Sequence, residues 1–131
     1  MARDVPIPAP ATSTATARRY EWGTGCEGWH LLASSELSVI QERMPPGTSE
    51  VRHSHDRAQQ FFFVLEGVLV VEVDGTRHSL GAWHGLHVPA GAPHRVFNQG
   101  PSPAQFLVVS QPPSHGDRRP EPEPTAGPQD T

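Results

Sequence analysis

An all-β sandwich or barrel is the fold class this chain of 131 residues predicts. Glycine and proline recur at short intervals through the middle of the chain, the runs between them are rich in Val, Phe and Leu, and no stretch carries a helical period with caps. Trp29 to Ala33 and Leu37 to Met44 read as strands, and Pro45-Pro46-Gly47 turns the chain after the second. Val51 to His55 is a short third strand. Phe61 to Glu66 and Val68 to Val73 flank Gly67, and Asp74-Gly75 is a tight hairpin turn leading into Arg77 to Leu80. Leu86 to Val88, His94 to Asn98 and Phe106 to Ser110 complete the set.

These elements make one barrel domain over residues 20–110, a length that supports a modest single core. Residues 1–19 are read as a disordered or edge-strand N-terminal tail and 111–131 as a Pro-rich C-terminal tail, since neither has an apolar period with which to offset its ordering entropy. The Arg18-Arg19 and Arg118-Arg119 pairs fall in these tails and read as solvated. The formal charge of -4, from 14 acidic and 10 basic residues with no long block of either sign, argues against a nucleic-acid partner. Cys26 is the single cysteine, which excludes an internal disulfide, and its neighbours supply no cation to activate it. Met1 to Pro10 lacks the unbroken apolar stretch of a signal peptide, and no run approaches a membrane span, so a soluble cytoplasmic protein is expected.

Three of the eight histidines have a spacing suited to chemistry. His53 and His55 stand two apart on a strand, so both rings project from one face and can converge on one ion. Gln60 opens the next strand, where alternation places it with Phe62 and Val64 and turns Gln59 away. His94 follows the rigid Pro89-Ala90-Gly91-Ala92-Pro93 turn, which can return the chain to the same mouth. His30, His78, His84, His87 and His115 lack such partners and are assigned surface or packing roles. Glu50, Asp56 and Glu66 read as solvated strand ends. The run Gln60 to Leu65 is apolar on both faces, which suits a core on one side and a second layer or a homodimer partner on the other.

From about Trp29 to Ser110 the chain resembles the cupin superfamily of small single-domain, metal-binding members. The first motif of that family appears as Gly47, then His53-Ser54-His55, then Gln60 where the family has Glu, then Gly67. The second appears as Pro89-Ala90-Gly91-Ala92-Pro93-His94-Arg95-Val96-Phe97-Asn98. The resemblance implies a double-stranded β-helix, or jelly-roll barrel, holding one divalent transition metal ion through His53, His55, Gln60 and His94. Imidazole-rich ligands suit iron, zinc, nickel, cobalt, manganese or copper better than magnesium or calcium. Trp83 stands where the family usually has Gly, which bears on the turn there.

Three imidazoles and one amide form a donor set without an anionic member, which leaves a bound ion's charge undiminished. A Lewis-acid role follows, assisting isomerisation, cyclisation or elimination of a small molecule in the barrel with a pocket side chain or water as base. An iron-dependent dioxygenase with the same ligands and a non-catalytic ligand-binding or sensor barrel are the alternatives.

Overall fold

Period-two alternation of buried and open side chains builds two antiparallel sheets, and a computed structural model describes them over residues 10–124. The strands are β1 (Arg18–Trp22), β2 (Cys26–Ala33), β3 (Ser38–Met44), β4 (His53–His55), β5 (Gln59–Glu66), β6 (Leu69–Val73), β7 (Thr76–Leu80), β8 (Gly85–Val88), β9 (His94–Phe97), β10 (Ala104–Gln111) and β11 (Arg118–Pro120). One sheet runs β1-β2-β3-β10-β5-β8 and the other β11-β4-β9-β6-β7. The fold is the expected all-β jelly roll. Among the described residues no helix is long and apolar enough to cross a membrane.

The inward faces divide along their length into an apolar end and a polar end. At the first, Ala104 of β10 pairs with Met44 of β3, and Phe106 and Val108 follow at alternate positions. These meet Phe62 and Val64 of β5, Leu69 and Val71 of β6 and Val96 of β9 in one buried cluster. Phe106 is fully buried, a burden of apolar surface that stabilises by about 2–3 kcal/mol. At the other end the same alternation brings Ser110 opposite both Gln60 and Ser38. Asn98 closes the apolar end, donating through Nδ2 to the carbonyls of Met44 and Ser102, each at 2.9 Å.

Both ends of the chain depart from the expected boundaries. Residues 1–9 and 125–131 lie outside the described part, but Arg18–Trp22 forms β1 and pairs in register with β2 of its own chain, so this edge strand stays at home. Among the described residues the C-terminal segment is not a free tail. Arg118–Pro120 pairs with β4, and Asp117 accepts hydrogen bonds from the backbone N–H groups of Asp56 (3.1 Å), Arg57 (2.9 Å) and Ala58 (2.9 Å). Arg52 adds a bond from Nη1 to the Pro122 carbonyl at 2.6 Å. Such backbone and side-chain bonds need no apolar period, which is why hydropathy alone misses the strap.

Trp83 occupies the left-handed region, with φ at 68°, while its N–H donates to the Val64 carbonyl at 2.7 Å. The turn therefore keeps the backbone form that glycine adopts most easily, at a tryptophan that is largely exposed.

Candidate metal centre and its cavity

The antiparallel pairing of β4 with β9 sets His53 directly opposite His94, and the two-residue step along β4 adds His55. One ligand atom from each of the three lies within 4.8 Å of the others, and all three residues are buried. His53 Nδ1 meets the Val51 carbonyl and His94 Nδ1 the Ala92 carbonyl, each at 2.9 Å. A carbonyl only accepts, so each ring carries its proton on Nδ1 and presents the lone pair of Nε2. Burial, reinforced by the neighbouring imidazole, depresses His53 to about 3, and burial depresses His94 to about 4. His55 is lowered by burial as well, opposed in part by the Asp117 backbone. All three rings are therefore neutral near pH 7, the form that binds metals.

Gln60 completes the ring from β5. Its Nε2 donates to Ser110 Oγ at 3.0 Å, which turns Oε1 to 3.0 Å from His94 Nε2. Two lone-pair atoms face one another there, an unfavourable contact unless a cation touches both or the amide turns over. His55 Nδ1 is buried without a hydrogen-bond partner among the described residues. Neutral nitrogen donors, two of them oriented by carbonyls, together with an orphaned ring nitrogen and an inward amide oxygen, fit a divalent transition metal.

His53, His55 and Gln60 open onto a cavity of about 300 Å³. Trp22, Ile40, Phe62 and Val108 form its apolar walls. Glu42 and Glu50 supply carboxylates, contrary to the reading of Glu50 as a solvated strand end; its side chain is 13% exposed and accepts from the Val96 N–H at 3.2 Å. Burial pushes Glu42 up to about 7 and Glu50 up to about 8, the latter with help from the negative charge of Glu42. His115 and Arg118 reach the rim from the C-terminal strap, where Arg118 Nη2 donates to the Val51 carbonyl at 3.3 Å. Arg118 and His115 are exposed, as expected of solvated residues, and also border this cavity. His87 instead bonds Gln59 on the outer face at 2.9 Å, as the alternation of β5 requires.

Glu42 carried a legible signal: it shares strand parity with Ile40 and Met44, so a carboxylate stands at an inward position of β3. Tyr20, which also lines the cavity, and Arg118 carried none: both lie on mostly exposed strands, Tyr20 placed by its pairing with β2 and Arg118 by the distant pairing of β11 with β4.

The model of a cupin domain matches residues 40–110. Over 91 residues the chain is 33% identical to the tetracenomycin polyketide synthase protein TcmJ of Streptomyces glaucescens, an overlap of 65% of this chain and 61% of that protein. It thus spans about three-fifths of that relative's length. A sugar phosphate isomerase of the cupin superfamily from Silicibacter pomeroyi is 27% identical, with a TM-score of 0.69 over 78% of this chain and 75% of its own. The polyketide cyclase RemF from Streptomyces resistomycificus superposes with a TM-score of 0.75 over 86% of this chain and 85% of its own, at 16% identity, a likeness of fold alone.

Proposed function

The chain belongs to the cupin family, and from that premise we propose that it is a metal-dependent enzyme catalysing a redox-neutral cyclisation or isomerisation of an enolisable, polyketide-like small molecule. The observation that carries this reading is the convergence of three neutral imidazoles, with the Gln60 oxygen beside His94, at the edge of a cavity whose walls mix apolar side chains with two carboxylates. His53, His55, Gln60 and His94 would hold the ion. Bound there, a divalent cation supplies Lewis acidity toward a carbonyl or enol oxygen, undiminished by any anionic protein donor. The Val51 and Ala92 carbonyls hold two of the rings in their ligating tautomer. Trp22, Ile40, Phe62 and Val108 offer the substrate an apolar contact surface beside the polar groups of the cavity. Arg118 at the rim favours an oxygen bearing negative charge. The identity with a polyketide synthase protein supports the substrate class, and the identity with an isomerase supports chemistry without oxidation.

Metal analysis of the protein from its native host, with zinc titration by calorimetry, tests the site. One ion per chain is expected, with most of the affinity lost in His53→Ala. Anaerobic turnover of aromatic β-dicarbonyl compounds by the metal-loaded protein is the expected activity. A chain that takes up no divalent ion with its histidines intact, or turns over only with oxygen, would overturn the reading. We also propose a homodimer: Phe61 and Trp83 stand exposed beside Phe63 on the outer face of β5. Sedimentation at micromolar concentration tests it, and a monomer there refutes it.

A further inference from the structure

The inner face of the β1–β2–β3 corner carries a side-chain arrangement that the metal centre does not use. Register places Tyr20 of β1 opposite Gly28 of β2, and Gly28 opposite Glu42 of β3. The Tyr20 ring lies across Gly28 so closely that a Cβ at that position would overlap it. With no side chain in between, the Tyr20 hydroxyl spans a whole strand and donates to Glu42 Oε2 at 2.5 Å. Both residues line the cavity that holds His53, His55 and Gln60. A bulkier residue at 28 would suit β-propensity better, so glycine in mid-strand marks a close approach of another group.

We propose that Glu42 is the catalytic base and acid of this cavity and that Tyr20, laid over Gly28 to reach it, is the residue that positions it. The inference rests on the reading of the cavity as an enzyme site for an enolisable carbonyl compound. As a carboxylate, Glu42 takes a proton from carbon beside the carbonyl. The C–H bond breaks, its electron pair becomes the C=C bond of an enolate, and the carbonyl π pair moves onto oxygen. Glu42, now a carboxylic acid, returns that proton to carbon or oxygen at the new position. No oxidant or reductant enters, in keeping with a redox-neutral reaction. Tyr20 donates to one carboxylate oxygen and leaves the other for substrate.

The groups facing Glu42 determine when it is ionised. Burial disfavours its charge first, and the Tyr20 hydroxyl from β1 and then Arg118 from β11 oppose burial, so that the carboxyl stands at about 7. Glu50 from the β3–β4 connection, His53 and His55 from β4 and His115 from the strap complete the surrounding titratable set. Gly28 of β2, Val108 and Ser110 of β10, and Gln60 and Phe62 of β5 contribute no charge. Near neutrality Glu42 therefore exists in both forms that a base and an acid require.

A nitrobenzisoxazole tests the base in the full-length protein without the natural substrate. Its acidic C–H bond breaks to a base while that electron pair forms the nitrile and the N–O bond opens to a coloured phenolate. The rate is expected to rise with pH through an inflection near 7. Glu42→Gln should remove the inflection and on the order of 10²-fold of the rate above background. Because the Tyr20 hydrogen bond favours the carboxylate, Tyr20→Phe should move the inflection to higher pH, and Gly28→Ala should do the same by displacing the ring. Tyr20 is the only tyrosine, so tyrosinate absorbance reads it alone. Burial and the Glu42 charge hold its hydroxyl well above the usual phenol range, so Glu42→Gln should bring tyrosinate in at lower pH than in wild type. An inflection that survives in Glu42→Gln, or one that Tyr20→Phe leaves in place, overturns the proposal. Zinc titration separates the two readings. Zinc bound by a wild type whose inflection survives in Glu42→Gln refutes the base alone, whereas no zinc with the full set of shifts refutes the metal alone.

Discussion

Replacing Arg52 by Met should remove about 4 kcal/mol of stability, worked from the contacts of one buried ion pair. Arg52 Nε donates to Glu72 Oε1 at 3.0 Å, with the two side chains only 9% and 5% exposed. Glu72 Oε2 accepts from the Gly75 N–H at 2.8 Å, and Arg95 Nε lies 3.7 Å from Oε1. Removing one partner of a buried pair costs about 3–5 kcal/mol because the other charge stays behind. Here the lower end applies: Arg95 Nε is buried without a hydrogen-bond partner among the described residues and can take over part of the role. Losing the Arg52 bond to the Pro122 carbonyl adds roughly 1 kcal/mol. At a urea slope of about 1–3 kcal/mol/M the midpoint should fall by roughly 1.3–4 M, with the slope unchanged. The double variant Arg52→Met with Glu72→Gln should recover about half of the loss, since no lone carboxylate is then buried. A single variant within about 1 kcal/mol of wild type, or a double variant no more stable than the single, would refute the assignment of this pair as a desolvated bridge holding the strap.

Restoring a carboxylate by Gln60→Glu should tighten zinc binding through charge attraction and slow a Lewis-acid reaction, whereas Gln60→Ala should weaken binding; calorimetry showing both variants equal to wild type would remove Gln60 from the donor set. His78→Ala, on β7 and away from the donors, should leave zinc binding unchanged, and a large loss there would show that the wrong histidines were chosen. A chain truncated after Gln111 loses β11 and the Asp117 contacts, so its Tm should fall by about 10 °C or more; unchanged melting would return the segment to the status of a tail. Three backbone N–H groups hold the Asp117 carboxyl below the usual aspartate range, chiefly those of Arg57 and Ala58. A depressed folded-state value adds stability that is present above the unfolded value and lost as pH falls through the folded one. Urea midpoints of Asp117→Asn should therefore decline less steeply than wild type on acidification, and parallel curves would contradict the capping role.

Most strands were readable because alternation is a local property. β5 is the clearest case: Gln60, Phe62 and Val64 are buried, whereas Gln59 and Phe61 are exposed. The pairing of His53 with His55 followed from the same rule, and their meeting with His94 followed from the resemblance to a known family rather than from spacing. What escaped was carried by polar groups. β1 and β11 are short and mostly exposed, so their sequences contain no apolar pattern to detect. Glu50 looked solvated because nothing in its neighbours reveals that Val96 and a cavity wall await it.

The amino-acid sequence by itself determined the class of fold and the strand faces, and through the family resemblance pointed to the candidate histidines that the structure brings together, since periods of two and fixed motif spacings are written in consecutive residues. Only the tertiary structure decided which groups share the cavity with those donors. Tyr20 reaches Glu42 because two strand registers align them across Gly28, and Arg118 reaches the rim because Asp117 anchors the strap to the loop after β4. Register and anchoring depend on hydrogen bonds between residues as many as seventy positions apart, such as Arg52 with Pro122, and no local pattern specifies such bonds in advance.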